Sequence, residues 1–86
     1  MKIKDGYLLK EVAGNFVVVP VGNVDFDGMI SLNQTGVFIW KLLENDTSFE
    51  ALISRFLEEY DIDEKTAKAD LNAFLSKLRD AGLLYE

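Results

Sequence analysis

The pattern of apolar residues changes at Asn33, and this change limits what the chain can fold into. Before Asn33, short runs of β-branched and aromatic residues are separated by turn residues, which is typical of strands. After Asn33, apolar residues recur at spacings of three and four, which is typical of amphipathic helices. We therefore predict an α+β fold in which the strands come first and the helices follow.

Three antiparallel strands are predicted between residues 7 and 32. The first two form a hairpin within residues 7–19, because the Ala-Gly-Asn segment at 13–15 has turn chemistry. Pro20 has no N–H for a ladder, so the second strand should either end there or have an edge at that point. The third strand, Met29 to Leu32, is short, and an open sheet of three strands leaves two edges unpaired.

Three helices are predicted near residues 34–45, 48–60 and 63–81. Asn33 and Asp63 are suitable N-caps for the first and third, and the Thr47-x-x-Glu50 spacing fits a capping box at the second. Gly82 is expected just after the third helix, in a Schellman motif that brings Leu78 and Leu83 into contact.

Three positions carry predictions about packing. Gly36 costs its helix about 1 kcal/mol relative to alanine, which predicts a close contact at that point. Trp40 and Phe74 lie at helical spacing with aliphatic residues and are expected in the core.

Size and composition exclude several classes of protein. Eighty-six residues with 49% hydrophobic and 28% charged content suit one small globular domain spanning residues 1–86. The net charge of −6 gives no overall attraction to nucleic acid or to anionic lipid. The absence of histidine and cysteine removes the commonest general base, thiolate metal sites and a cysteine nucleophile.

No arrangement of residues predicts catalysis, a metal site or a cofactor. The serines have no histidine partner. The Asp-Phe-Asp-Gly segment at 25–28 lacks the other ligands of a calcium loop, and Asp61 to Glu64 is better explained by a turn and a helix cap. We expect neither a signal peptide nor a membrane span, so a cytoplasmic location is predicted.

The third predicted helix has two unlike flanks beside a core-facing arc of Ala67, Leu71, Phe74, Leu78 and Ala81. One flank is basic for so acidic a chain and contains an apolar residue; it holds Lys68, Asn72, Leu75 and Arg79. The other flank holds Thr66, Asp70, Ala73, Lys77 and Asp80. Leu75 either widens the core stripe or helps to form one wall of a groove.

The segment Leu32 to Leu43, LNQTGVFIWKLL, fills every fixed position of the pattern L-N-x-T-G-x-x-I-W-x-L-L. The later D-L-x-x-F-L-x-x-L-x-x-x-G-L spacing from Asp70 to Leu83 also fits. In these features the chain resembles the PqqD-like family, from Tyr7 onward.

The resemblance implies a winged helix-turn-helix that binds the leader of a ribosomally made precursor peptide and is not itself an enzyme. In this family the leader is delivered to a modifying enzyme, often a radical S-adenosylmethionine protein, as in coenzyme PQQ biosynthesis. The family's mode is addition of the leader as a strand beside the third strand and against the third helix. A monomer or weak homodimer is expected.

On this basis we predict that the third strand pairs with the leader as an antiparallel strand and that the basic flank of the third helix faces it. The predicted contacts on the strand are Met29, Ile30, Ser31 and Leu32. The predicted contacts on the helix, which we call the predicted wall, are Lys68, Leu71, Asn72, Leu75 and Arg79.

Two alternatives remain open at this point. A winged-helix DNA-binding regulator would use the third helix for recognition, but its four basic and three acidic residues leave a net charge of only +1. An interaction subunit without peptide affinity would bind an enzyme but no leader.

Overall fold

The computed structural model describes residues 1–21 and 30–85. Strands precede three helices, as predicted, and a short strand follows them. The strands are β1 (Lys2–Ile3), β2 (Tyr7–Val12), β3 (Asn15–Pro20), β4 (Ile30–Leu32) and β5 (Leu84–Tyr85); the helices are α1 (Gln34–Leu43), α2 (Phe49–Glu59) and α3 (Glu64–Asp80).

The strands between residues 7 and 32 form one antiparallel sheet in the order β2-β3-β4. β3 is the middle strand, and both of its faces are covered, because the adjacent residues Val17 and Val18 are both buried. The hairpin turns through Ala13 and Gly14, whose φ angles of 52° and 81° are those of a type I′ turn. β2 and β4 are therefore the two outer strands of this sheet.

The short strands β1 and β5 were not predicted. They pair with each other antiparallel, Lys2 opposite Tyr85 and Ile3 opposite Leu84. Ile3 and Leu84 are buried in the main core, so this second sheet closes the core beside α1 and α3.

Side-chain oxygens cap all three helices. The Asn33 Oδ1 accepts a 2.8 Å bond from the Gly36 N–H, and the Asp63 Oδ1 accepts a 3.3 Å bond from the Thr66 N–H. These two caps were predicted. At α2 the cap is Ser48, whose Oγ accepts from the Ala51 N–H, and not the threonine one residue earlier that the capping-box spacing indicated.

The C-terminus of α3 forms the predicted motif. Gly82 has a φ of 75°, and its N–H donates to the Arg79 carbonyl at 3.0 Å. The Leu83 N–H donates to the Leu78 carbonyl at 2.9 Å, and both of these leucine side chains are fully buried. These two hydrogen bonds together form the Schellman motif.

The core lies between the β2-β3-β4 sheet and the three helices. Trp40 is 2% exposed, which confirms the prediction, whereas Phe74 is half-buried at the margin of the core. No helix in the described part of the chain is both long and apolar enough to cross a membrane.

Candidate functional site: the edge of strand β4 and helix α3

The hairpin turn determines which backbone groups of β3 face each neighbour. In a hairpin with a two-residue turn the closing pair, here Val12 and Asn15, is hydrogen-bonded, and bonded pairs then alternate along the strands. Val17, paired with Lys10, therefore turns its N–H and C=O toward β2. Pro20, which lacks an N–H, falls at a position that donates nothing to β2.

The same alternation turns the backbone N–H and C=O of Ser31 away from β3. Residues on either side of Val17 turn their N–H and C=O toward β4, where they meet Ile30 and Leu32. Ser31 lies opposite Val17, so its N–H and C=O point away from β3, toward the edge of the sheet that no other described strand covers. A strand added at this edge would form its main-chain bonds with Ser31.

One side chain of α3 reaches this edge. The Lys77 Nζ donates a 3.3 Å hydrogen bond to the Ser31 carbonyl oxygen. This contact independently places that oxygen on the side of the strand away from β3. A lysine over an unpaired strand edge also disfavours indiscriminate pairing with other strands.

A groove of about 360 Å³ adjoins this contact, between the start of α1 and the exposed flank of α3. We call it the edge groove. Its chemistry is mixed, with a small side chain and an aromatic ring between one acidic and one basic residue on α3. Its lining residues are Asn33, Thr35, Gly36, Ile39, Asp70, Ala73, Phe74 and Lys77.

The predicted strand contacts differ in exposure. Ile30 is half-buried and Leu32 is buried, with both side chains turned toward the core, while Ser31 is exposed. Met29 lies outside the described residues, as does the Asp-Phe-Asp-Gly segment at 25–28.

The predicted wall does not line the edge groove. Leu71 and Leu75 are 0% and 2% exposed, so Leu75 widens the core stripe instead of forming a groove wall. Lys68 borders a different groove, between α2 and α3, and lies 3.6 Å from Glu64. Asn72 and Arg79 are exposed but are not among the residues that line the edge groove.

The opposite flank of α3 faces the groove. Asp70, Ala73 and Lys77 are exposed there, and the alternation of core and surface positions had placed them on one flank. The helical periodicity did not indicate which flank meets β4. In the structure it is this flank and not the one with Lys68. The small side chain of Ala73 within it is the one signal that a chain could approach the helix closely.

Among residues 1–21 and 30–85, no three acidic side chains come together as ligands of a metal ion would. The Thr66 side chain, and then its backbone N–H, hold the pKa of Asp63 below its ordinary value, so this carboxylate acts as a helix cap.

A three-stranded antiparallel sheet followed by three helices defines an α+β module, and in the described residues the edge groove adjoins the β4 edge of that sheet. The family model described as coenzyme PQQ synthesis protein D (PqqD) matches residues 16–84. The chain belongs to this family.

A solved structure supports the assignment. The chain is similar to TbiB1 in complex with the TbiA(beta) leader peptide, with 28% identity and a TM-score of 0.79. The match covers 100% of this chain and 99% of that one. No curated protein matches the chain.

Proposed function

We propose that this chain captures the leader of a ribosomally made precursor peptide by strand addition and presents it to a modifying enzyme. The leader pairs antiparallel with β4 and lies against Ala73, Phe74 and Lys77 in the edge groove. The observation that carries the proposal is the outward-facing N–H and C=O of Ser31 at a strand edge that adjoins this groove.

The comparisons support a peptide as the ligand. TbiB1, which is similar over its whole length, binds a leader peptide, and PqqD-like proteins are recognition elements and not catalysts. Strand addition gives affinity through main-chain bonds, while groove side chains choose the partner. The predicted wall enters the proposal indirectly, because Leu71 and Leu75 hold α3 in place from the core side.

The modifying enzyme is proposed to be a radical S-adenosylmethionine protein. This part rests on the family alone. Co-purification of the chain with such an enzyme from its own gene neighbourhood, with and without the precursor, tests it.

The binding site is tested by amide chemical-shift mapping. The probes are synthetic peptides covering the N-terminal halves of short reading frames beside the gene, with scrambled peptides of the same composition as controls. We expect saturable shifts at Ser31, Ala73 and Lys77. Shifts confined to the Lys68 side of α3 would instead support the predicted wall.

The same titration separates peptide binding from the alternatives. A DNA duplex should cause no saturable shift at physiological salt, because DNA binding without several phosphate contacts is weak. Enzyme binding without any effect of a leader would favour an interaction subunit.

A further inference from the structure

The edge groove has opposite charges at its two ends, and from them we infer an ordered charge pattern in the bound peptide. We propose that the groove prefers a basic residue, then an apolar residue two positions later, then an acidic residue two positions further on. This inference rests on the proposed function and specifies the class of peptide that the site takes.

The direction of β4 and α1 relative to α3 follows from three contacts. Ser31 contacts Lys77, and Gly36, five residues later in the chain, packs against Phe74, three residues earlier in α3. Asp70 lines the same groove one turn before Phe74. The chain leaving β4 therefore runs toward the N-terminus of α3.

A peptide antiparallel to β4 then runs in the same direction as α3. Its N-terminal part lies near Asp70 and its C-terminal part near Lys77. These two side chains are seven residues apart, about 10.5 Å at 1.5 Å per residue. Opposite charges on the peptide must therefore come in a fixed order, basic before acidic.

The spacing follows from strand geometry. Successive side chains of a strand point to opposite faces, so residues that face α3 together are two or four positions apart. Four positions span about 13 Å and two about 7 Å, at 3.3 Å per residue. The four-residue spacing comes nearer than the two-residue spacing to the separation of Asp70 and Lys77 along α3. It also leaves a middle residue of the peptide over Ala73 and the half-buried ring of Phe74.

Both charges are available to a ligand. Asp70 is exposed, and its side chain forms no hydrogen bond or ion pair with the described residues. Within the same residues, the partner of the Lys77 ammonium group is the Ser31 carbonyl. A peptide N–H that bonds to this carbonyl competes with the ammonium group. An acidic side chain beside it gives the displaced ammonium group a new partner.

Selection from a display library tests the inference. Random twelve-residue peptides are selected against the wild-type chain, a charge-swapped variant D70K/K77E and a control R55E/E58K. The control exchanges a basic and an acidic residue at exposed positions of α2, outside the edge groove. All three proteins are first shown to unfold at similar denaturant concentrations.

We expect wild type and control to enrich a basic residue four positions before an acidic one, and the swapped variant to enrich the reverse order. Reversing the two charges in an enriched peptide should weaken binding to wild type about tenfold, less at high salt. The same charge order selected by wild type and swapped variant would overturn the inference while leaving strand addition intact. If no enriched peptide shifts the Ser31 amide, the proposed function itself fails.

Discussion

The ring of Phe74 lies 3.1 Å, at its Cε1 atom, from the position that a Cβ on Gly36 would occupy. The Asn33 cap oxygen and the Leu32 Cβ lie 3.3 and 3.4 Å from the same point. Gly36 thus allows α1 to approach α3 where the edge groove begins. The close contact predicted at this glycine is present.

Gly36→Ala should lower the free energy of unfolding by about 1 kcal/mol. The gain in helix propensity, about 1 kcal/mol, is outweighed by crowding on three sides, which costs about 1–3 kcal/mol. Urea denaturation measures the change. In a double-mutant cycle, Phe74→Leu should remove most of this cost; additive effects of the two substitutions would contradict the contact.

Trp40→Ala should lower the free energy of unfolding by about 3–5 kcal/mol, because the indole is 2% exposed. This is a large share of the 5–15 kcal/mol that a domain typically has. Leu8→Ala is the matched control: Leu8 is 52% exposed, so its loss should change stability by about 0.5 kcal/mol or less. Similar melting temperatures for the two variants would show that Trp40 is not packed as described.

Ser31→Pro should weaken leader binding about tenfold with little effect on the sheet. Proline removes the outward N–H, which an added strand would use, but no bond between β3 and β4. Ser31→Ala keeps this N–H and should bind within about twofold of wild type. Isothermal titration with a peptide that shifts the Ser31 amide measures both variants, and equal affinities would argue against strand addition at this edge.

Ala73→Gln should weaken peptide binding and leave stability nearly unchanged, because it extends a polar side chain into the edge groove from an exposed position. Ala69→Gln makes the same change at an exposed α3 position outside the groove and should bind normally.

Leu75→Asp should instead lower the free energy of unfolding by about 3–5 kcal/mol. Binding and urea curves on the same samples distinguish these effects; a stable Leu75→Asp variant that fails to bind would restore the predicted wall.

Stability should depend on the ionisation of Asp63. Because the folded chain holds the pKa of this carboxyl below 3.8, the unfolded chain binds its proton more readily. The carboxylate therefore stabilises the fold above pH 3.8, and this contribution is lost as the pH falls through the lowered pKa. Asp63→Asn keeps a capping oxygen and removes the titration, so the difference from wild type in urea denaturation should shrink as the pH falls through 3.8 and below. A constant difference would show that the cap acts equally in both protonation states.

The parts of the fold that were predicted from sequence depend on local bonds. Asn33, Asp63 and Gly82 act on backbone groups only a few residues away, so their residue types are sufficient to predict them. β1 and β5 were not predicted, because two-residue strands have no periodicity and their partners are more than eighty residues apart.

The site was only partly predictable for a related reason. Helical periodicity separates the faces of α3, but it does not say which neighbour each flank meets. With Leu75 buried and Phe74 at the margin, the core-facing arc is rotated by about 35° toward the Lys68 flank, at 100° per residue. That rotation turns Asp70 and Lys77 toward β4 and Lys68 toward α2.

The number of outward-facing main-chain groups on the described part of β4 bears on how fast a peptide bound as proposed would leave. Among its described residues only Ser31 offers outward main-chain groups, so a bound segment gains few bonds there. At an association rate constant of about 10⁶ M⁻¹s⁻¹, micromolar affinity means a residence time of about one second. Enzymes commonly turn over about ten times per second. An edge with so few outward-facing groups among the described residues would let the proposed carrier release its peptide on nearly the time scale of the enzyme it is proposed to supply, which a long, fully paired strand would not.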